Sequence, residues 1–370
     1  MHKDKPRILF FVPLPPPVHG AALRNKSLVD SKILNANFNI KVLPFNFVAS
    51  VNDIGKLSLR KSVKFFTRAF SILFAMISFK PHLVYFNFSV YGFALYRDFL
   101  YALIFKAFNV KIIFHLRTQG VREQANASQF KKWMFKKAFQ RTFVICLSDF
   151  LAKDISDVYK PVPIIVNNGI ENMCFGAKEN HQPVPSILFL SNLSVTKGIL
   201  DLIEAFSIIK DKGISFTGSV VGNDGDLTKT QIQKELSNRG LTDCVQVLGP
   251  KYGQDKFEIL SLTDIFVFPT IFEAFPGVVL EAMQFGIPVV STFEGAIPEI
   301  IDDGVTGLLV QKKDTIELAN KLALLIGDIK MRRTLGENSR AKFKTHYTLE
   351  AFEKNMLSAF NRILWEPRTP

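Results

Sequence analysis

The stretch FVFPTIFEAFPGVVLEAMQFGIPVVST, residues 266–292, constrains this chain more than any other. The apolar run Ile265 to Phe268 reads as a buried strand that Pro269 ends. Pro276-Gly277 opens a helix running through Met283, and Gly286-Ile287-Pro288 stops it before a second apolar strand, Val289 to Thr292. Strand, loop, helix, strand is the repeating unit of a parallel α/β sheet, in which ligands bind beyond the carboxyl ends of the strands. Glu273 falls in the loop and Glu281 on the helix. At about 1.5 Å rise per residue, Glu281 lies roughly 6 Å along the axis from Gly277. Two acceptors so spaced can hold hydroxyls at opposite ends of a nucleotide sugar. Between them the N–H groups of Pro276 to Val279, proline itself lacking one, make a helix start that favours an anion such as a diphosphate, with Phe275, Pro276, Gly277 and Val278 as donor-binding candidates. Two solvated carboxylates beside a helix start are the plain alternative.

The same alternation runs through the rest of the chain. Strands are expected at Ile8–Val12, Phe38–Leu43, Leu83–Asn87, Lys111–His115, Thr142–Leu147 and Pro163–Val166, with helices between them. A second series begins at Ile187–Leu190 and continues to about residue 345. Residues 171–185, ENMCFGAKENHQPVP, lack periodicity and read as a linker, while Phe343 to Trp365 reads as a terminal helical stretch. The expectation is α/β: two Rossmann-like doubly wound domains, residues 1–170 and 186–345, followed by a helical segment at 346–370. A chain of 370 residues also exceeds what one core usually organises.

The segment EAFPGVVLEAMQFGIPVVST followed by GAIPEIIDDGVTGLLV resembles the donor-binding region of glycosyltransferase family 4, also described as glycosyl transferases group 1, whose hallmark is two glutamates separated by seven residues. LFLSNLSVTKGILDLIEAF is similar to the strand, loop and helix that open the second domain in that family, and VNNGI at Val166 to Ile170 to its linker turn. The resemblance is close over residues 160 to 345 and loose before them. It implies the GT-B fold, two domains facing across a cleft, with the last segment crossing back to the first. It implies a retaining sugar transfer from a nucleotide diphosphate sugar of UDP or GDP type to a saccharide acceptor, one carried on a lipid, in cell-envelope polysaccharide or O-antigen synthesis. Glu273 would contact the transferred sugar, Glu281 the ribose and Lys197 the diphosphate, with His115 at the reaction face. No cofactor and no metal are expected. Relatives commonly place an arginine five residues before the lysine; Asn192 stands there in this chain and donates without charge.

Other candidates are weaker individually. Lys197 precedes Gly198 at a strand-to-helix connection, where an ammonium serves phosphate oxygens or merely a solvated turn. His115 ends a strand, and Arg117 follows it as a candidate for phosphate or acceptor. Gly20, in PPPVHGAAL, admits close approach of backbone to a ligand or serves a plain turn, with His19 beside it as a structural or acceptor-lining residue. The full GxGxxG pattern of a dinucleotide site is missing. Asp224-Gly225-Asp226 follows a strand and reads as a turn rather than a metal motif.

Charge divides the chain. Residues 1–170 hold 25 Lys and Arg against 8 Asp and Glu, leaving 21 against 25 for residues 171–370, so the whole +13 and more sits in the first half. A half so basic is expected to face an anionic partner. Basic, aromatic-rich helices around Leu57–Phe79 and at Lys131, Lys132, Lys136 and Lys137 suit an anionic membrane surface; solvated lysines over a buried apolar face are the alternative. No secretion signal and no apolar run of spanning length are evident, and the three cysteines lack CxxC spacing, which together point to a cytoplasmic, peripheral protein. No nucleic-acid motif is present, so nucleic acid is not an expected partner. A nucleotide-sugar epimerase or hydrolase of similar fold, and a non-catalytic basic module, remain as competing readings.

Overall fold

Parallel strands buried on both faces read as continuous apolar runs, and this chain has two sets of them. The computed structural model describes residues 5–16, 20–45, 59–173 and 183–366. It divides into two units: residues 1–169 together with 349–370, and residues 170–348.

The first unit contains β1 (Arg7–Val12), α1 (Gly20–Asp30), α2 (Lys32–Asn37), β2 (Asn39–Pro44), α3 (Leu59–Phe79), β3 (Leu83–Asn87), α4 (Gly92–Ala107), β4 (Lys111–Leu116), α5 (Val121–Ala127), α6 (Gln129–Phe139), β5 (Phe143–Cys146), α7 (Asp149–Asp154) and β6 (Ile164–Ile165). Its strands lie in the order β2-β1-β3-β4-β5-β6, all parallel, with Asn87 opposite His115 where β3 meets β4. One face of this sheet, through Phe10, Tyr85, Ile113 and Ile145, is covered by Phe352, Met356, Phe360 and Ile363 of the chain's last helix.

The second unit runs β7 (Ser186–Leu190), α8 (Ile199–Asp211), β8 (Thr217–Val221), α9 (Lys229–Asn238), β9 (Val245–Gly249), α10 (Gly253–Leu262), β10 (Ile265–Phe268), α11 (Gly277–Gln284), β11 (Val289–Thr292), α12 (Ile297–Ile300), β12 (Gly307–Val310), α13 (Thr315–Gly327) and α14 (Ile329–His346). Its sheet order is β12-β11-β10-β7-β8-β9, again all parallel. Counted from β7, this is the 3-2-1-4-5-6 order of a dinucleotide-type sheet, whose winding reverses between β7 and β10. The loops after those two strands lie at the position where open α/β sheets bind ligands.

The expected terminal stretch Phe343–Trp365 is two helices. The first, α14, ends at His346; Tyr347, buried, donates to the Glu299 carbonyl at 3.2 Å, and α15 (Leu349–Trp365) begins beyond it in the first unit. Apolar residues on both sides of Tyr347 continue the helical period, which is why the sequence reads as one element.

Candidate active site

The two loops at the winding reversal of the second unit are joined residue by residue. The Thr196 carbonyl accepts from the Ile271 N–H at 2.8 Å, the Phe272 N–H at 3.2 Å and the Thr270 hydroxyl at 3.1 Å. Gly198 follows at φ +76°, and a Cβ there would stand 1.9 Å from the Pro269 carbonyl oxygen, so only glycine lets the loops approach. The result is a single platform carrying Lys197 and Glu273. Lys197 Nζ lies 2.8 Å from Glu273 Oε2 and 3.3 Å from the Phe272 carbonyl, and both side chains are partly exposed. Glu273 Oε1 accepts from the Ala274 N–H at 2.9 Å. Behind it, buried Glu294 accepts from the Glu273 N–H at 3.4 Å and pairs with Lys312 at 2.5 Å. Gly295 passes so close that a Cβ would sit 2.1 Å from the Glu273 carbonyl oxygen. The loop bearing Glu273 is thus held on three sides.

Helix α11 begins at the edge of this platform. Pro276 is its N-cap and supplies no side-chain acceptor, while Gly277 is exposed with open space around it. The first-turn N–H groups are therefore available to an anion. Phe275 is buried against Tyr347, Val278 is half-buried, and Glu281, one turn after Gly277, pairs with Lys256 at 2.7 Å. Its Oε2 is buried without a hydrogen-bond partner among the described residues. Asn192 is exposed beside Asn223, which exchanges a 2.7 Å hydrogen bond with Tyr252. Asp224 and Asp226 accept from the backbone of Lys229 and Val195, a loop-shaping use.

In the first unit His115 is fully buried near the carboxyl end of β4. Its Nδ1 lies 2.6 Å from the Tyr85 hydroxyl, which also accepts from Arg117 Nη2 at 3.2 Å. Guanidinium only donates, so the assignment that uses every hydrogen has Tyr85 donating to Nδ1. Burial, aided by Arg117, drives the imidazole pKa well below its ordinary 6.5 and keeps it neutral. The remaining proton is then on Nε2, an N–H with no partner among the described residues. Asn87 donates to the His115 carbonyl at 3.0 Å and accepts from Asn25 of α1 at 3.2 Å; Arg117 also donates to Asn168 at 2.8 Å. Gly20 is exposed at the start of α1, and His19 lies outside the described residues. Lys131 donates to Gln124 at 2.5 Å, Lys132 is half-buried, and Lys136 and Lys137 are exposed.

The sequence offered Lys197, Glu273, Glu281 and His115 but not Tyr85, Asn87, Lys256 or Glu294. The signal for the first pair was strand register: Asn87 ends β3 directly opposite His115, and Tyr85 precedes it on the same face.

The family match falls within the second unit. Residues 176–342 match the sequence model of the family described as Glycosyl transferases group 1. The chain is 31% identical over 179 residues to the capsular polysaccharide biosynthesis glycosyltransferase CapM of Staphylococcus aureus, covering 48% of this chain and 46% of that protein. It is 34% identical over 164 residues to the amylovoran biosynthesis glycosyltransferase AmsK of Erwinia amylovora, covering 42% and 40%. Each match thus spans less than half of the relative. Solved structures cover the whole length: sucrose-phosphate synthase of Thermosynechococcus elongatus at TM-score 0.77 and 17% identity, over 97% of this chain and 99% of that one. Anabaena HepE in complex with UDP follows at TM-score 0.73 and 17% identity, over 96% and 99%. At such identity the likeness shows the fold alone.

Proposed function

We infer that the chain transfers a sugar from a nucleotide diphosphate donor to a saccharide acceptor, because residues 176–342 match the group 1 glycosyltransferase model and the chain has a two-unit fold of GT-B type. The observation that carries this reading is the Lys197–Glu273 pair at the winding reversal of the second sheet, beside the open N-terminus of α11. A diphosphate seated on those N–H groups gains from the helix dipole and from the Lys197 ammonium. Glu273 then receives hydroxyls of the transferred hexose and Glu281 those of the ribose. His115 presents its Nε2–H as a donor, and the Asn192 amide adds a neutral one.

The donor is of UDP or GDP type, in keeping with the UDP and UDP-glucose held by the Anabaena neighbour. Transfer proceeds with retention at the anomeric carbon and without a metal ion: as the bond to the leaving phosphate breaks, cationic and N–H groups stabilise the developing charge. The phosphate oxygen so released takes the acceptor's proton while the acceptor oxygen bonds to the same face. The acceptor is lipid-linked, the setting is cell-envelope polysaccharide synthesis, and the first unit works on the anionic cytoplasmic face of the membrane. Relatives in capsular and amylovoran synthesis support the pathway class.

Thermal shift against UDP-, GDP- and ADP-sugars tests the donor assignment. Stabilisation by one nucleotide class is expected, and a flat response to all of them would overturn it. Product analysis with the stabilising donor then separates transfer from epimerisation or hydrolysis.

A further inference from the structure

Three neighbouring helices of the first unit share an outer face of exposed apolar side chains among the described residues. Helix α3 exposes Phe66, Phe70, Phe74 and Ile77, spaced for one side of a helix; Phe70 and Phe74 are 71% and 70% accessible. Phe65 and Tyr101 stack across to α4, and on α4 Phe99 meets Trp133 of α6. Between those two contact sides α4 turns Phe93 and Leu100 outward. Helix α6 adds Phe130 and Trp133, stacked on each other and both more than half exposed. Large exposed aromatics this dense are unusual on a surface that stays in water.

The charges on the same helices say what covers them. Across α3, α4 and α6 the sequence places ten Lys and Arg against one acid, Asp98, which is fully buried and paired with Arg97. Lys106 spends its ammonium on the carbonyls of Lys137 and Gln140, and burial plus the cations of Lys137 and Arg141 push its pKa down to about 8. A surface that repels its own cations and shows no exposed carboxylate suits an anionic partner; a second copy of the same face would place like charges together. Among the described residues no helix is long and apolar enough to cross a membrane.

We propose that the α3–α4–α6 face lies in an anionic phospholipid bilayer surface, its aromatic side chains below the headgroups and its lysines among them. This deepens the membrane partner proposed above, and it adds apolar insertion to charge attraction. The test is flotation of the full chain with phosphatidylcholine vesicles, with and without phosphatidylglycerol. Binding is expected only with the anionic lipid, and it should survive in part at about 0.5 M salt, where screening removes the purely electrostatic share. Phe70→Ser with Phe74→Ser, both at exposed positions, should lower partitioning by at least about tenfold with the melting temperature unchanged. In a Trp365→Phe background, brominated lipid should quench Trp133. Equal binding to neutral vesicles, no binding to anionic ones, or an unquenched Trp133 would overturn the proposal. So would a dimer that ignores lipid and dissociates in the Phe70/Phe74 variant. Transfer to a soluble acceptor reports separately on the reaction.

Discussion

Lys197 has one ammonium and two claimants: Glu273 Oε2 at 2.8 Å and, in the proposed reaction, the donor diphosphate. Glu273→Gln keeps the shape and the acceptor for the Ala274 N–H while releasing the lysine. Nucleotide-sugar binding by calorimetry is expected to hold or tighten, while turnover falls by about 10²–10³. Lys197→Ala should lose both. If Glu273→Gln weakened binding as much as Lys197→Ala, the pair would be a structural ion pair and the assigned role would fail. His115 offers a second asymmetry. Glutamine can place an N–H near the Nε2 position and asparagine near Nδ1, so His115→Gln should keep about tenfold more activity than His115→Asn. The same residue sets a pH dependence. With its folded pKa below 6.5, the unfolded chain binds the extra proton, so stability is complete above 6.5 and declines as pH falls toward the folded value. Melting temperatures from about pH 7 to about pH 5 should fall less steeply in His115→Gln. These residues were unevenly legible. Glu273, Glu281 and Lys197 stand at fixed offsets from strand ends and turn glycines. Tyr85 and Asn87 sit inside LVYFN, an unbroken buried run whose partners depend on register with a strand 28 residues away.

At the level of elements, strands were the most readable. Leu83–Asn87, Ile265–Phe268 and Val289–Thr292 occur with the bounds the sequence suggests, because strands buried on both faces carry apolar runs that stand out from the loops around them. Short helices such as α2 and α5 were not read; six or seven residues carry too few turns for a period to show. The aromatic stripe of α3 was legible only as one of two readings, a membrane-facing surface or a buried apolar face, since the choice depends on which side meets the sheet; Phe66, Phe70 and Phe74 are exposed. Helix α15 carries the clearest mechanical prediction. Phe360 is fully buried against Phe10, Phe38 and Tyr85, and Lys111 caps the helix end by donating to the carbonyls of Ile363 and Leu364 at 2.8 and 2.9 Å. Phe360→Ala should cost about 3–5 kcal/mol. Hydrogen exchange should show the loss in residues 5–169 and α15, and equal loss across residues 170–348 would contradict the division into units.

Over the whole molecule, the charge imbalance seen in composition follows the unit boundary. The basic half is the first unit, and the acidic excess belongs with the glutamate-bearing second. The sequence shows that imbalance directly, since charge is additive along a chain. What it does not show is exposure, which depends on which helix face meets the sheet. The two sheets also differ in how they are encoded. Residues 170–348 form their unit without interruption, whereas the first sheet borrows its covering helix from beyond them. During synthesis β1 to β6 therefore leave the ribosome long before α15 exists, with Phe10 and Tyr85 still facing outward. The usual order, in which the lobe made first is finished first, is inverted here. The later lobe can close while the earlier one waits, and a nascent chain stalled near residue 348 would expose the earlier lobe's bare flank to chaperones.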